Sequence, residues 1–163
     1  MVYRFPCIVS NRQSYEHPGQ MERVVQQANP APPRQPRIVI ADDFETLRRG
    51  LKSLLGTAIC GEAENGQEAV KRVMELRPDI IILDLTMPVM NGLQAARMIR
   101  SSAPETKIMV FSLHDANEVR EEALKAGADV FLHKTATGED ILKAITALMG
   151  TAREAQRRMA APA

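Results

Sequence analysis

Ile80-Ile-Ile-Leu83, followed directly by Asp84-Leu-Thr86-Met-Pro88-Val-Met-Asn-Gly92, is the stretch that decides the fold. Four apolar residues, three of them β-branched, stop at an acid and a Pro/Gly-containing turn, which is the pattern of a short strand buried on both faces. Working outward, Ile38-Val-Ile40 and Ile108-Met-Val-Phe111 are runs of the same kind, and Ala58-Ile-Cys60 and Val130-Phe-Leu132 are weaker ones. Between them, apolar residues recur at helical spacing. These are Phe44, Leu47, Leu51, Leu54 and Leu55, then Ala69, Val73 and Leu76, then Ala95, Met98 and Ile99. Val119, Ala123 and Ala126 continue the pattern, and Ile141, Ile145, Leu148 and Met149 close it. Gly127 and Gly150 stand where left-handed helix caps are expected. Five strands alternating with five helices require right-handed βαβ crossovers, so the fold class is α/β, a doubly wound parallel sheet with helices on both faces.

The rest of the chain differs. Six of the ten prolines lie in residues 1–36, where neither strand nor helix periodicity is sustained, so this segment reads as a disordered polar tail. Residues 37–150 form the predicted domain, and residues 151–163, with three arginines and good helix formers, read as a short tail or an extension of the last helix. Across 163 residues the net charge is +1, with 45% hydrophobic and 25% charged residues, so no bulk charge draws the chain to nucleic acid or membrane. No apolar run approaches the ~18 residues of a membrane span. Two cysteines are too few for a disulfide scaffold, which makes the cytoplasm the expected location.

In an open parallel sheet, ligands gather at the carboxyl ends of the strands. Asp42 and Asp43 follow the first strand, Asp84 the third, Ser112 the fourth and Lys134 the fifth. Each has an ordinary explanation: Asp43 and Ser112 as helix caps, Asp84 as a turn residue, Lys134 as a solvated loop lysine. Independent caps have no reason to coincide at four strand ends, so the set is read as one site. Clustered carboxylates need a neutralising cation, and an all-oxygen set of few carboxylates suits Mg²⁺. Neither G-x-x-x-x-G-K-[ST] nor G-x-G-x-x-G occurs, so the phosphoryl donor for such a site comes from elsewhere.

Residues 37–149 resemble the receiver domain of bacterial two-component response regulators. The resemblance rests on Ile38-Val-Ile-Ala-Asp-Asp-Phe44, Ile80–Gly92, Val110-Phe-Ser112 and Phe131-Leu-His-Lys134, and Ser-Leu-His (112–114) with Lys-Thr (134–135) is most similar to the NarL/FixJ-like class. The resemblance implies a flavodoxin-like sheet of order 2-1-3-4-5, the order that the general rule for doubly wound sheets itself illustrates with a receiver. It also implies Asp84 as phosphoacceptor, with Asp42, Asp43, Asp84 and the Thr86 backbone carbonyl around Mg²⁺. Ser112, Phe131 and Lys134 would respond to the phosphoryl group.

The implied partners are a sensor histidine kinase or phosphotransfer protein and a downstream protein. The downstream protein would meet the face formed by the fourth helix, fifth strand and fifth helix, where Glu118, Glu121, Lys125, His133 and Lys143 should be exposed. A homodimer on phosphorylation is a further implied state. Many receivers have proline after the lysine; Thr135 stands there instead, so a trans bond is expected. With no helix-turn-helix segment before Ala163, the reading is a single-domain regulator that contacts proteins and not nucleic acid. A phosphate sink or relay intermediate is the alternative. An Asp-nucleophile phosphatase is the enzyme rival, disfavoured because its second acid would fall at Thr86. The expectation is therefore a non-enzyme.

Overall fold

The computed structural model describes residues 34–114 and 117–159, with side chains to residue 150. The strands are β1 (Ile38–Ala41), β2 (Ile59–Ala63), β3 (Ile80–Leu83), β4 (Lys107–Ser112) and β5 (Val130–His133). They alternate with helices α1 (Glu45–Leu55), α2 (Gly66–Leu76), α3 (Gly92–Ser102), α4 (Asn117–Lys125) and α5 (Gly138–Met159). The sheet is parallel throughout, in the order β2-β1-β3-β4-β5, as the resemblance implied.

Although β1 and β3 are apolar at every position, and β4 from Ile108 to Phe111, period two still sorts their side chains. Val39, Ala41, Ile81, Leu83, Ile108 and Val110 face one core, which Ala69 and Val73 of α2, Ala95 and Ile99 of α3 and Ala123 of α4 complete. Ile38, Ile40, Ile80, Ile82, Met109 and Phe111 face the other, against Leu51 and Leu55 of α1 and Ile141, Ile145 and Leu148 of α5. Each fully buried Ile, Leu or Val contributes about 1.5–3 kcal/mol, so the two cores specify which face every strand residue takes.

Several helical expectations are corrected. Phe44 precedes α1 and is 62% exposed, and Leu54 and Met98 are also exposed; the inward position at the end of the first turn of α1 belongs to Arg48. Gly150 does not cap α5: its φ is not positive, and the helix continues through it to Met159. Gly127, by contrast, has φ +107°. β2 is displaced toward its C-terminus relative to the expected Ala58–Cys60.

Residues 1–33 of the expected tail lie outside the described residues. Arg34 makes two hydrogen bonds to the Asp79 carboxylate (2.9 and 2.6 Å), and Gln35 meets Thr57 Oγ1 at 3.0 Å. Among the described residues no helix is long and apolar enough to cross a membrane.

Candidate phosphoacceptor site

Register brings the site together. Ala41 stands opposite Leu83, Leu83 opposite Val110, and Ser112 opposite His133, so the residues that follow these strands emerge side by side. The Asp84 N–H donates to the Ala41 carbonyl at 2.8 Å, which sets Asp42 and Asp84 on neighbouring backbones.

Asp42 and Asp84 are buried and Asp43 is exposed; carboxylate oxygens of the three lie within 4.8 Å of one another. Lys134 Nζ sits between the buried pair, 2.7 Å from Asp42 Oδ2 and 3.0 Å from Asp84 Oδ2. The remaining oxygens are held by backbone. Asp42 Oδ1 accepts from the Phe44 N–H (2.9 Å), and Asp84 Oδ1 accepts from the Leu85 N–H (2.8 Å). Asp43 does not cap α1, whose N-cap is Phe44 with no side-chain cap.

Burial pushes the Asp84 carboxyl above its ordinary pKa, and Asp42 adds to this; hydrogen bonding and charge from Lys134 oppose it, as does the Thr86 N–H. For Lys134, burial pulls downward, but hydrogen bonds to Asp42 and Asp84 outweigh it, and the ammonium is held above its ordinary value. The outcome is a carboxylate that is costly to ionise beside a firmly charged lysine.

The loop after β3 folds back over the strand end. Gly92 donates its N–H to the Leu85 carbonyl at 3.0 Å, and a Cβ there would lie 2.0 Å from the Asp84 carbonyl oxygen, so only glycine allows this approach. Within the loop, the Met90 N–H reaches the Pro88 carbonyl at 2.7 Å with Val89 at φ 67°, a strained γ-turn for a β-branched residue. The Met90 carbonyl accepts from Gly66 at the start of α2 (3.0 Å), and Asn91 with Gln94 forms a capping box on α3.

Ser112 is fully buried, and its Oγ accepts from the His114 N–H at 3.2 Å. Phe131 is packed inward against the α2–α4 side of the sheet, with the Arg120 guanidinium 5.8 Å above its ring. No peptide bond among the described residues is cis, so Lys134–Thr135 is trans. On the face formed by α4, β5 and α5, Glu118, Glu121, Lys125 and Lys143 are exposed, and His133 is half-buried.

The sequence reading missed Arg48. Only 6% exposed, it donates to the Asp42 carbonyl (2.8 Å) and pairs with Glu64 (2.6 Å), tying α1 and the edge strand to the acidic corner. The signal was an arginine four residues after Phe44 and three before Leu51, on the stripe assigned to the core.

The family model described as "Response regulator receiver domain" matches residues 38–146. The nitrate/nitrite response regulator protein NarL of Escherichia coli (strain K12) is 41% identical over 112 residues, covering 66% of this chain and 52% of NarL. The chemotaxis protein CheY of Thermotoga maritima is 39% identical over 112 residues, 67% of this chain and 93% of CheY. The chain spans about half the length of several curated relatives it matches, NarL among them. Among solved structures, the signal receiver domain of the putative response regulator NarL from Mycobacterium tuberculosis has TM-score 0.68 at 33% identity, covering 72% of this chain and 98% of that one. By its sequence match, its strand order and its strand-end acids and lysine, the chain belongs to the response regulator receiver domain family and is NarL-like within it.

Proposed function

We propose that the chain is a signalling phosphoacceptor in a two-component system, with Asp84 as the residue that receives the phosphoryl group. The observation that carries this is Lys134 lodged between buried Asp42 and Asp84, with Asp43 beside them. Receiver domains bind Mg²⁺ at an acidic pocket, and this donor set fits a hard cation: carboxylate oxygens of Asp42, Asp43 and Asp84, with the Thr86 carbonyl proposed as a further ligand. When bound, Mg²⁺ would neutralise charge on the carboxylates and the phosphoryl oxygens.

In the proposed transfer, an Asp84 oxygen attacks the phosphorus of a phosphohistidine on a kinase or phosphotransfer protein. The new P–O bond forms as the P–N bond breaks, and the imidazole leaves with the bonding pair. Lys134, charged and already at the site, then pairs with the phosphoryl oxygens, and the Ser112 hydroxyl turns to hydrogen-bond one of them. Phe131 follows the space that Ser112 vacates. Contacts made only in the phosphorylated state are what shift a two-state equilibrium. β5, which lies in the α4–β5–α5 face, carries the buried Phe131 and runs into Lys134, so a downstream protein reading that face would sense the change. The role is signalling by protein contact and not turnover of a separate substrate.

Incubation with acetyl phosphate and Mg²⁺ should add one phosphoryl mass to the intact chain. The mass should be absent in EDTA and absent from Asp84→Asn. Equal labelling of Asp84→Asn would remove Asp84 from the role, and equal labelling in EDTA would make the acidic cluster structural.

A further inference from the structure

His133, the last residue of β5, is outside the phosphoacceptor set, yet its ring spans the two loops that carry the set's switch and charge. Nε2 lies 2.9 Å from the carbonyl oxygen of Leu113, directly after Ser112. Nδ1 lies 2.7 Å from Thr135 Oγ1 and 3.3 Å from the Thr135 N–H, directly after Lys134. A carbonyl only accepts, so Nε2 carries the hydrogen and Nδ1 presents its lone pair. That is the pair Thr135 satisfies with its hydroxyl and N–H. A proline at 135 would supply neither group. The Thr135 that departs from the common Lys-Pro pattern is therefore half of this connection.

The connection bears on Ser112. Strand pairing ends at Ser112, whose carbonyl accepts from the Lys134 N–H at 2.8 Å, and the Leu113 side chain beyond it is 67% exposed. Of the backbone groups just past the strand, the Leu113 carbonyl is held by His133 and the His114 N–H by Ser112 Oγ itself. Turning the Ser112 hydroxyl toward a phosphoryl group forfeits the bond to His114. Moving the loop with it stretches Nε2–H···O.

We infer that His133 is a positioning residue, holding the loop of Ser112 in its resting place by joining the Leu113 carbonyl to Thr135, so that phosphoryl binding must break this bond to move Ser112. The inference rests on the proposed role of Ser112.

The test uses the full chain with His133→Leu, which removes both polar atoms, and His133→Gln, whose amide NH₂ reaches about as far as Nε2. Beryllofluoride with Mg²⁺ is titrated against amide NMR signals around Asp84. His133→Leu should bind the phosphoryl mimic about fivefold more tightly than wild type, the ratio matching one neutral hydrogen bond of ~1 kcal/mol, and His133→Gln should return toward wild type. Unchanged affinity in His133→Leu overturns the inference, and so does an equal gain in both variants, which would assign the effect to ring packing. Long-range ¹H–¹⁵N correlation of the wild-type imidazole reads the bond without any phosphoryl mimic. A single Nε2–H tautomer is expected, and a mixture of tautomers overturns the inference. If wild type binds no beryllofluoride, the phosphoacceptor reading fails, while the tautomer measurement still decides whether the resting bond exists.

Discussion

Lys134→Met should expose how much of this domain depends on one buried cation. The ammonium contacts two carboxylates at 2.7 and 3.0 Å, and the three side chains are only 8%, 2% and 5% exposed. At an effective dielectric of ~20 and a charge separation of ~4 Å, each pair attracts by about 4 kcal/mol. Desolvation offsets much of that in the intact protein. Removing only the lysine leaves the carboxylates with their desolvation cost and no partner, so the net loss should be about 3–5 kcal/mol. For a domain of this size that corresponds to a fall of about 12–20 °C in Tm.

Two further readouts separate this cause from lost packing. Without the lysine, which opposes the effect of burial, the Asp84 carboxyl should rise further in pKa. A carboxyl raised in the folded state favours folding at low pH and loses that contribution as pH rises through its shifted value, so the gap to wild type should narrow on acidification. Mg²⁺ should also stabilise the variant more than wild type, because it meets carboxylates that no ammonium already engages. Thermal unfolding in EDTA and in Mg²⁺, each near neutral pH and in mild acid, measures all three effects. A metal-free Tm close to wild type, or a gap that does not change with pH, would refute the electrostatic account of the site.

Asp84→Asn, besides its use in the proposed labelling test, should be more stable than wild type. Burial raises the Asp84 pKa, so its ionisation above the ordinary carboxylate range weakens the fold, and the asparagine's advantage in urea unfolding should open as pH rises above that range. Gly92→Ala places a methyl 2.0 Å from the Asp84 carbonyl oxygen, a backbone atom that cannot step aside, so a loss above ~3 kcal/mol is expected; a near-wild-type midpoint would mean the loop after β3 is free to move.

The α/β class and the chemistry at the strand ends were legible from order alone. Runs such as Ile80–Leu83 are too short and too β-branched to be helices, and the acids, serine and lysine stand at fixed places just past them. Alternation with helical stripes then forces a parallel sheet, and a parallel sheet forces those residues to one edge. What remained hidden depends on contacts between segments distant in sequence. Periodicity marked Phe44 as core and passed over Arg48, because it cannot register that the Asp42 carbonyl and Glu64 would stand ready to accept from the two terminal nitrogens of a buried guanidinium. Gly150 resembled a stop, yet a helix ends only where its terminal groups find other partners, and α5 runs on to Met159. Residue identity along each strand therefore determined which groups reach the edge. Only the tertiary structure decided that Lys134 bridges two carboxylates and that His133 joins two loops, because a hydrogen bond depends on register and distance to within a few tenths of an ångström, and sequence spacing carries neither.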